Sequence, residues 1–300
     1  MHQLTYYQID AFTKEPFAGN ACAVVMDTYG LDEKIMLAIT KEFNLSETAF
    51  VRTSEEADFA ARYFTPDEEI PLAGHPTIAT AFALVHSGAF RLKDEVTPLF
   101  LALKAGIIRV DLNRDRDGLG RIDMFQKAPR FGRTYDPCEI MPVFGLKAAD
   151  HAGKAPIQTV STGTPQLMIH VKDLETLRRA QLDIPAYAAL RAEGDFFSPH
   201  LFCLEGFDRD GQTSARHFGT PPDIMEDPFT GSATGGMAAY LWRHELLKTR
   251  EFIAQQGHDM NRPGVAEVGL VGNFKNIESV RVSGHAVRVM EGSLWVNTAS

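Results

Sequence analysis

Glu69-Ile70-Pro71-Leu72-Ala73-Gly74-His75-Pro76-Thr77 returns, 157 residues later, as Glu226-Asp227-Pro228-Phe229-Thr230-Gly231-Ser232-Ala233-Thr234. Glu, Pro, Gly and Thr recur in register, and the match continues to Ala81/Ala238 and Leu84/Leu241. Just upstream, Ala61-Arg62-Tyr63-Phe64 answers Ala215-Arg216-His217-Phe218, with a short insertion in the second copy. An internal repeat fixes architecture before any single motif does. Each copy reads as a strand, an acidic turn, a glycine and then a helix. Pro76 suits the first helical position, where its missing N–H costs nothing. Ser232 suits an N-cap or first-turn position.

Both helices are apolar all round, which marks them as buried. The fold class expected is therefore α+β, with two pseudo-symmetric lobes. Each lobe is a curved, mostly antiparallel sheet wrapped around one central helix. The remaining chain is strand-rich, with runs at 22–26, 47–51, 106–112, 166–171 and 287–290. Residues 31–43 form an amphipathic helix, and 173–179 start its counterpart in the second lobe. The polar, glycine-containing stretch 114–120 is read as the interlobe crossing. The end, 292–296, is read as a final strand returning to the first lobe. The expected lobes are 1–118 plus 286–300, and 119–285, with the active site in the cleft between them.

The bulk properties narrow the function. A net charge of −9 over 300 residues argues against a nucleic-acid or anionic-membrane surface, since both need a basic face. No stretch approaches a membrane span, and the N-terminal residues lack a signal-peptide pattern, so the cytoplasm is the expected compartment. The three cysteines, Cys22, Cys138 and Cys203, are widely spaced and read as reduced structural residues. The ten histidines are scattered without an HExxH pattern, so no metal site is expected.

A helix N-terminus presents free N–H groups and partial positive charge. Glycine at that point lets a ligand approach the backbone. The turns at Gly74 and Gly231 therefore suit a carboxylate, or negative charge developing on an enolate-like intermediate. The side chains beside them differ: His75 stands opposite Ser232, and Ile70 opposite Asp227. Glu47, in Leu45-Ser46-Glu47-Thr48-Ala49-Phe50, is a third candidate. From that stretch alone it reads as a solvated acid at a strand edge.

Taken together, Phe17-Ala18-Gly19-Asn20, Ser46-Glu47-Thr48-Ala49-Phe50, Gly74-His75-Pro76-Thr77, Ser161-Thr162-Gly163 and Glu226 to Ala233 resemble the PhzF-like (phenazine-biosynthesis-like) proteins of the diaminopimelate-epimerase fold. The closing Ser283-Gly284-His285-Ala286-Val287 is similar to that family's last strands. The resemblance implies Glu47 as the acid/base that moves a substrate proton, His75 facing it, and Asp227 orienting that histidine. Ser232, with the Gly74 and Gly231 turns, would hold the substrate, and Ser46 and Asn20 would join them in binding it. It also implies catalysis without a cofactor, a small carboxylate substrate and a homodimer. In the related epimerases a cysteine precedes each pivotal glycine. Here those positions are Ala73 and Thr230, which excludes two-thiol chemistry. Two other readings stay open: a hydrolase built on Ser232, His75 and Asp227, and a non-catalytic protein that binds a small anion.

Overall fold

The computed structural model describes residues 2–219 and 225–296. The expected lobe ends at 1 and 297–300 lie outside the described residues. The chain forms two compact units, one of residues 1–124 with 283–300 and the other of residues 125–282.

In the first unit, strands follow one another across the sheet in the order Ala286–Val296, His2–Ala11, Asn20–Val25, Glu47–Thr53, Phe59–Phe64, Val96–Leu103, Gly106–Asp115 and Gly118–Gln126. All neighbours are antiparallel except two pairs, Asn20–Val25 with Glu47–Thr53 and Phe59–Phe64 with Val96–Leu103. A parallel pair needs a crossover, and each crossover here is a helix. Glu33–Phe43 makes the first and Gly74–His86 the second.

The second unit repeats this order. Arg130–Tyr135, Ile157–Ser161, Pro165–His170, Ser198–Cys203, Thr213–Phe218, Glu251–Gln256 and Gly264–Asn273 are successive neighbours. Parallel pairs again fall at the third and fourth strands and at the fifth and sixth. Leu174–Arg179 and Ile184–Glu193 make the first crossover, and Gly231–Arg243 the second. The duplication thus extends well beyond the stretch in which identities survive.

Both repeat helices begin at the matched glycine and run for 13 residues. In the second unit the helix touches Ile157–Ser161 and Pro165–His170 near one end of the strand order, and Gly264–Asn273 near the other. A sheet reaching one helix from both ends is curved around it. Ile78, Ala81 and Leu84, like Ala238 and Leu241, have no exposed surface. Each such leucine or isoleucine contributes about 2 kcal/mol of burial. The other helices cover the outer faces. Glu33–Phe43 packs through Met36 and Ile39 onto a core with Phe50, Phe64 and Val25.

The shared residues of the repeat hold the turn that launches the helix. Arg62 grips Glu69 with two hydrogen bonds of 2.8 Å, and its guanidinium lies 5.1 Å from the Phe64 ring centre. Arg216 grips Glu226 at 2.8 and 2.7 Å, and lies 4.8 Å from Phe218. Thr77 donates its hydroxyl hydrogen to the carbonyl of Ala73, and Thr234 to that of Thr230.

Some local expectations shift. Pro76 is the third helical residue rather than the first, still inside the turn whose N–H groups have no helical acceptor. The N-cap of the second helix is Thr230, and Ser232 sits in its first turn. The stretch 114–120 is a hairpin tip, with Arg114 opposite Leu119 and Asp115 opposite Gly118. Its polar turn residues serve two antiparallel strands of the first unit rather than a crossing. Among the described residues no helix is long and apolar enough to cross a membrane.

Candidate functional site

Four of the sequence-selected side chains meet in the first unit. Asn20 opens one strand and Glu47 opens its parallel neighbour. The register pairs Cys22 with Glu47, so the starts of these two strands lie side by side. His75 is the second residue of the central helix. Its Nε2 lies 3.2 Å from Glu47 Oε2, and its Nδ1 lies 3.1 Å from Asn20 Nδ2. Ser46 Oγ donates to Asn20 Oδ1 at 3.4 Å and lies 3.5 Å from His75 Nε2.

These contacts have a direction. Asn20 Oδ1 accepts from Ser46, which turns the amide nitrogen toward His75. An amide nitrogen only donates, so in this orientation His75 Nδ1 accepts and a neutral imidazole carries its proton on Nε2, the nitrogen that meets Ser46 Oγ at 3.5 Å and lies 3.2 Å from Glu47 Oε2. His75 is 4% exposed and the Glu47 side chain 19%. Glu47 is therefore a largely enclosed carboxylate beside a histidine, unlike the solvated strand-edge acid that its local sequence favoured. Nearby, burial and then the Glu47 charge push the Cys22 thiol well above its usual range. No thiolate forms there near neutral pH.

In the second unit, Asp227, Thr230, Gly231 and Ser232 occupy the corresponding turn. Asp227 accepts a hydrogen bond from the Thr230 hydroxyl. Gln256 spans the turn. Its Nε2 donates to the Asp227 carbonyl at 2.7 Å, and its Oε1 accepts from the Thr230 N–H at 3.2 Å. Gln126 donates to the Gly231 carbonyl at 2.7 Å. Neither central helix has a side-chain N-cap hydrogen bond.

The other two cysteines also lie away from these turns. Cys203 is buried, and burial pushes its thiol up to about 11. Cys138 is exposed at the start of a short helix. Among the described residues no group of three His, Cys, Asp or Glu side chains is placed to hold a metal ion.

Sequence reasoning passed over Gln126 and Gln256. Each sits at a strand end with no motif around it, and only the fold brings it to the helix start. It also passed over Asp10, 1% exposed, which accepts the Phe17 N–H at 2.7 Å and braces the loop leading to Asn20.

Comparison with known proteins gives a consistent picture. The PhzC-PhzF family, described as phenazine biosynthesis-like protein, matches residues 9–292. An uncharacterized isomerase of Clostridium acetobutylicum is 33% identical, over 97% of this chain and 98% of its own. The trans-2,3-dihydro-3-hydroxyanthranilate isomerase of Pseudomonas aeruginosa is 32% identical, over 99% of this chain and 100% of its own. The crystal structure of the Bacillus anthracis phenazine biosynthesis protein of the PhzF family superposes with a TM-score of 0.89. It is 31% identical and covers 99% of this chain and 100% of its own.

Proposed function

From the premise that this chain belongs to the PhzC-PhzF family of phenazine biosynthesis-like proteins and is an isomerase, we propose that it moves a proton within a small carboxylate substrate by general acid/base catalysis at Glu47, without a cofactor. The observation that carries this reading is the enclosed contact of Glu47 Oε2 with His75 Nε2 at 3.2 Å. In its ionised form the enclosed carboxylate takes a proton from a substrate carbon. The electron pair left behind delocalises toward the substrate's unsaturated system. Glu47, now protonated, returns the proton at a second carbon, so nothing is gained or lost overall. His75, 3.2 Å from Glu47 Oε2, stabilises the carboxylate before the first transfer and after the second.

In the same proposal the uncapped helix start at Gly74 stabilises negative charge developing on the substrate. The Gly231 turn, with Ser232, holds its carboxylate. A homodimeric assembly belongs to this reading as well. The relative named for trans-2,3-dihydro-3-hydroxyanthranilate makes that compound the first substrate to test. Turned over in heavy water, it is expected to yield product carrying deuterium at one carbon, because the proton held on the Glu47 carboxyl exchanges with solvent before one is returned. Recovery of unchanged, unlabelled substrate would remove the support for this substrate.

A further inference from the structure

The two repeats differ most usefully at one buried helical position. Ile78 in the first helix answers Gly235 in the second. Ile78 is fully buried, as an isoleucine on a core-facing helix should be. Gly235 gives up that burial and costs the helix about 1 kcal/mol relative to alanine. The space it leaves is filled by Gln126. A Cβ at position 235 would stand 1.9 Å from Gln126 Oε1 and 2.7 Å from its Nε2. The amide fits only because residue 235 has no side chain.

Gln126 is held at every polar end this slot reaches. Nε2 donates to the Gly231 carbonyl at 2.7 Å. Oε1 accepts the hydroxyl of Thr162. The backbone carbonyl of Gln126 accepts from Ser279 Oγ at 2.6 Å, and the next N–H, of Lys127, donates to the Thr162 carbonyl at 3.0 Å. Thr162 is the middle residue of the Ser161-Thr162-Gly163 turn. That turn joins the strands Ile157–Ser161 and Pro165–His170.

We infer that Gln126 and Thr162 are positioning residues for the reaction, locking the orientation of the Gly231-Ser232 turn. This inference rests on the reading that the turn holds the substrate carboxylate. A side-chain donor on the first carbonyl of the helix fixes the first peptide planes, and so the directions in which their N–H groups point. The first helix, with Ile78 at this position, has no such slot. Of the two turns, the second is the one built to a fixed aim, as a subsite for a rigid anion requires.

The test is binding of anthranilate, an aromatic carboxylate probe, by calorimetry on the full-length chain, with thermal unfolding of every variant. Gln126→Glu keeps the volume but removes the donor to Gly231. Gly235→Ala drives the amide out of its slot. Each is expected to weaken anthranilate about tenfold, the scale of one lost hydrogen bond to an anchoring group. The double variant Gln126→Ala/Gly235→Ala, whose new methyl enters the vacated slot, should be no worse than Gln126→Ala alone. With substrate, KM should rise while kcat changes little. A purely structural role would lower the unfolding temperature and leave anthranilate affinity in the folded protein unchanged, which would overturn the inference. Ser232→Ala separates the two levels. If it weakens anthranilate while Gln126→Glu does not, the positioning role falls and the anion subsite stands. If none of these variants alters binding, both fall.

Discussion

His75 Nε2 lies 3.2 Å from Glu47 Oε2, and the other nitrogen of the same ring is engaged by Asn20 at 3.1 Å. The histidine is thus held in one tautomer by a group on its far side. Its Nε2 lies between Ser46 Oγ, at 3.5 Å, and Glu47 Oε2.

That arrangement makes Asn20 a sensitive position. Asn20→Ala removes the donor that holds the tautomer and should lower kcat about tenfold or more, with a smaller effect on KM. Asn20→Asp places an acceptor against Nδ1 and reverses the tautomer a neutral ring prefers, so it should lower kcat at least as much as Asn20→Ala. Steady-state kinetics of both variants check this, and an unchanged kcat in Asn20→Asp would count against the tautomer argument.

The thiols give an independent check that cysteine takes no part. Cys138 is exposed, whereas Cys22 and Cys203 are buried with raised pKa values. Iodoacetamide should modify one thiol in the native protein and three after unfolding. The reaction at Cys138 should be slow near neutral pH, because the Asp136 carboxylate raises that thiol too. Fully alkylated native protein should keep its turnover. Mass spectrometry and an activity assay on one sample decide the matter.

The Arg–Glu clamps of the two repeats should differ in strength. Arg216 also donates to the carbonyls of Leu177, Arg178 and Ala180, at the end of the helix Leu174–Arg179. Arg62 adds only the solvent-facing Glu33 and a contact with Met36 Sδ. Lysine cannot reproduce either bidentate grip. Arg216→Lys is expected to cost about 2–3 kcal/mol and Arg62→Lys about 1–2, read from urea midpoints.

Buried histidines set the acid limit of stability. Burial pushes His217 down to about 3 and His170 down to about 4, and His200 falls well below its usual range. In the unfolded chain each titrates near 6.5. Below that pH the unfolded state binds protons that the folded state refuses. The stabilisation is complete above pH 6.5 and is lost as pH falls toward the folded values. The expected slope is about 1.4 kcal/mol per pH unit for each such histidine. Urea unfolding between pH 7.5 and 5 measures it, and His217→Tyr, which installs the first repeat's residue, should remove about one histidine's share.

The duplication was legible because the turn that launches a buried helix tolerates few residues. Glycine, the Arg–Glu clamp and the threonine that caps back to the preceding carbonyl all survive in both copies. Around them, sheet order was conserved while sequence was not, since any apolar residue of suitable size fills a strand's inner face. Hence the extent of the repeat emerges only from the pairings. Glu47 illustrates the opposite case. Its neighbours along the chain describe a strand edge, and its enclosure comes from His75 and Asn20, which lie 28 and 27 residues away. Gln126 is more remote still, 105 residues from the carbonyl it holds. Local pattern carries no trace of such a partner, although the glycine in place of Ile78 marks where one is needed.

The central claim is that Glu47 carries the proton. The decisive measurement is turnover of trans-2,3-dihydro-3-hydroxyanthranilate in heavy water by the native chain and by Glu47→Gln, compared at equal anthranilate affinity and equal thermal stability. The account predicts deuterium in the product of the native chain, and for Glu47→Gln a loss of about a thousandfold or more in both turnover and label. Retained turnover in Glu47→Gln would contradict it.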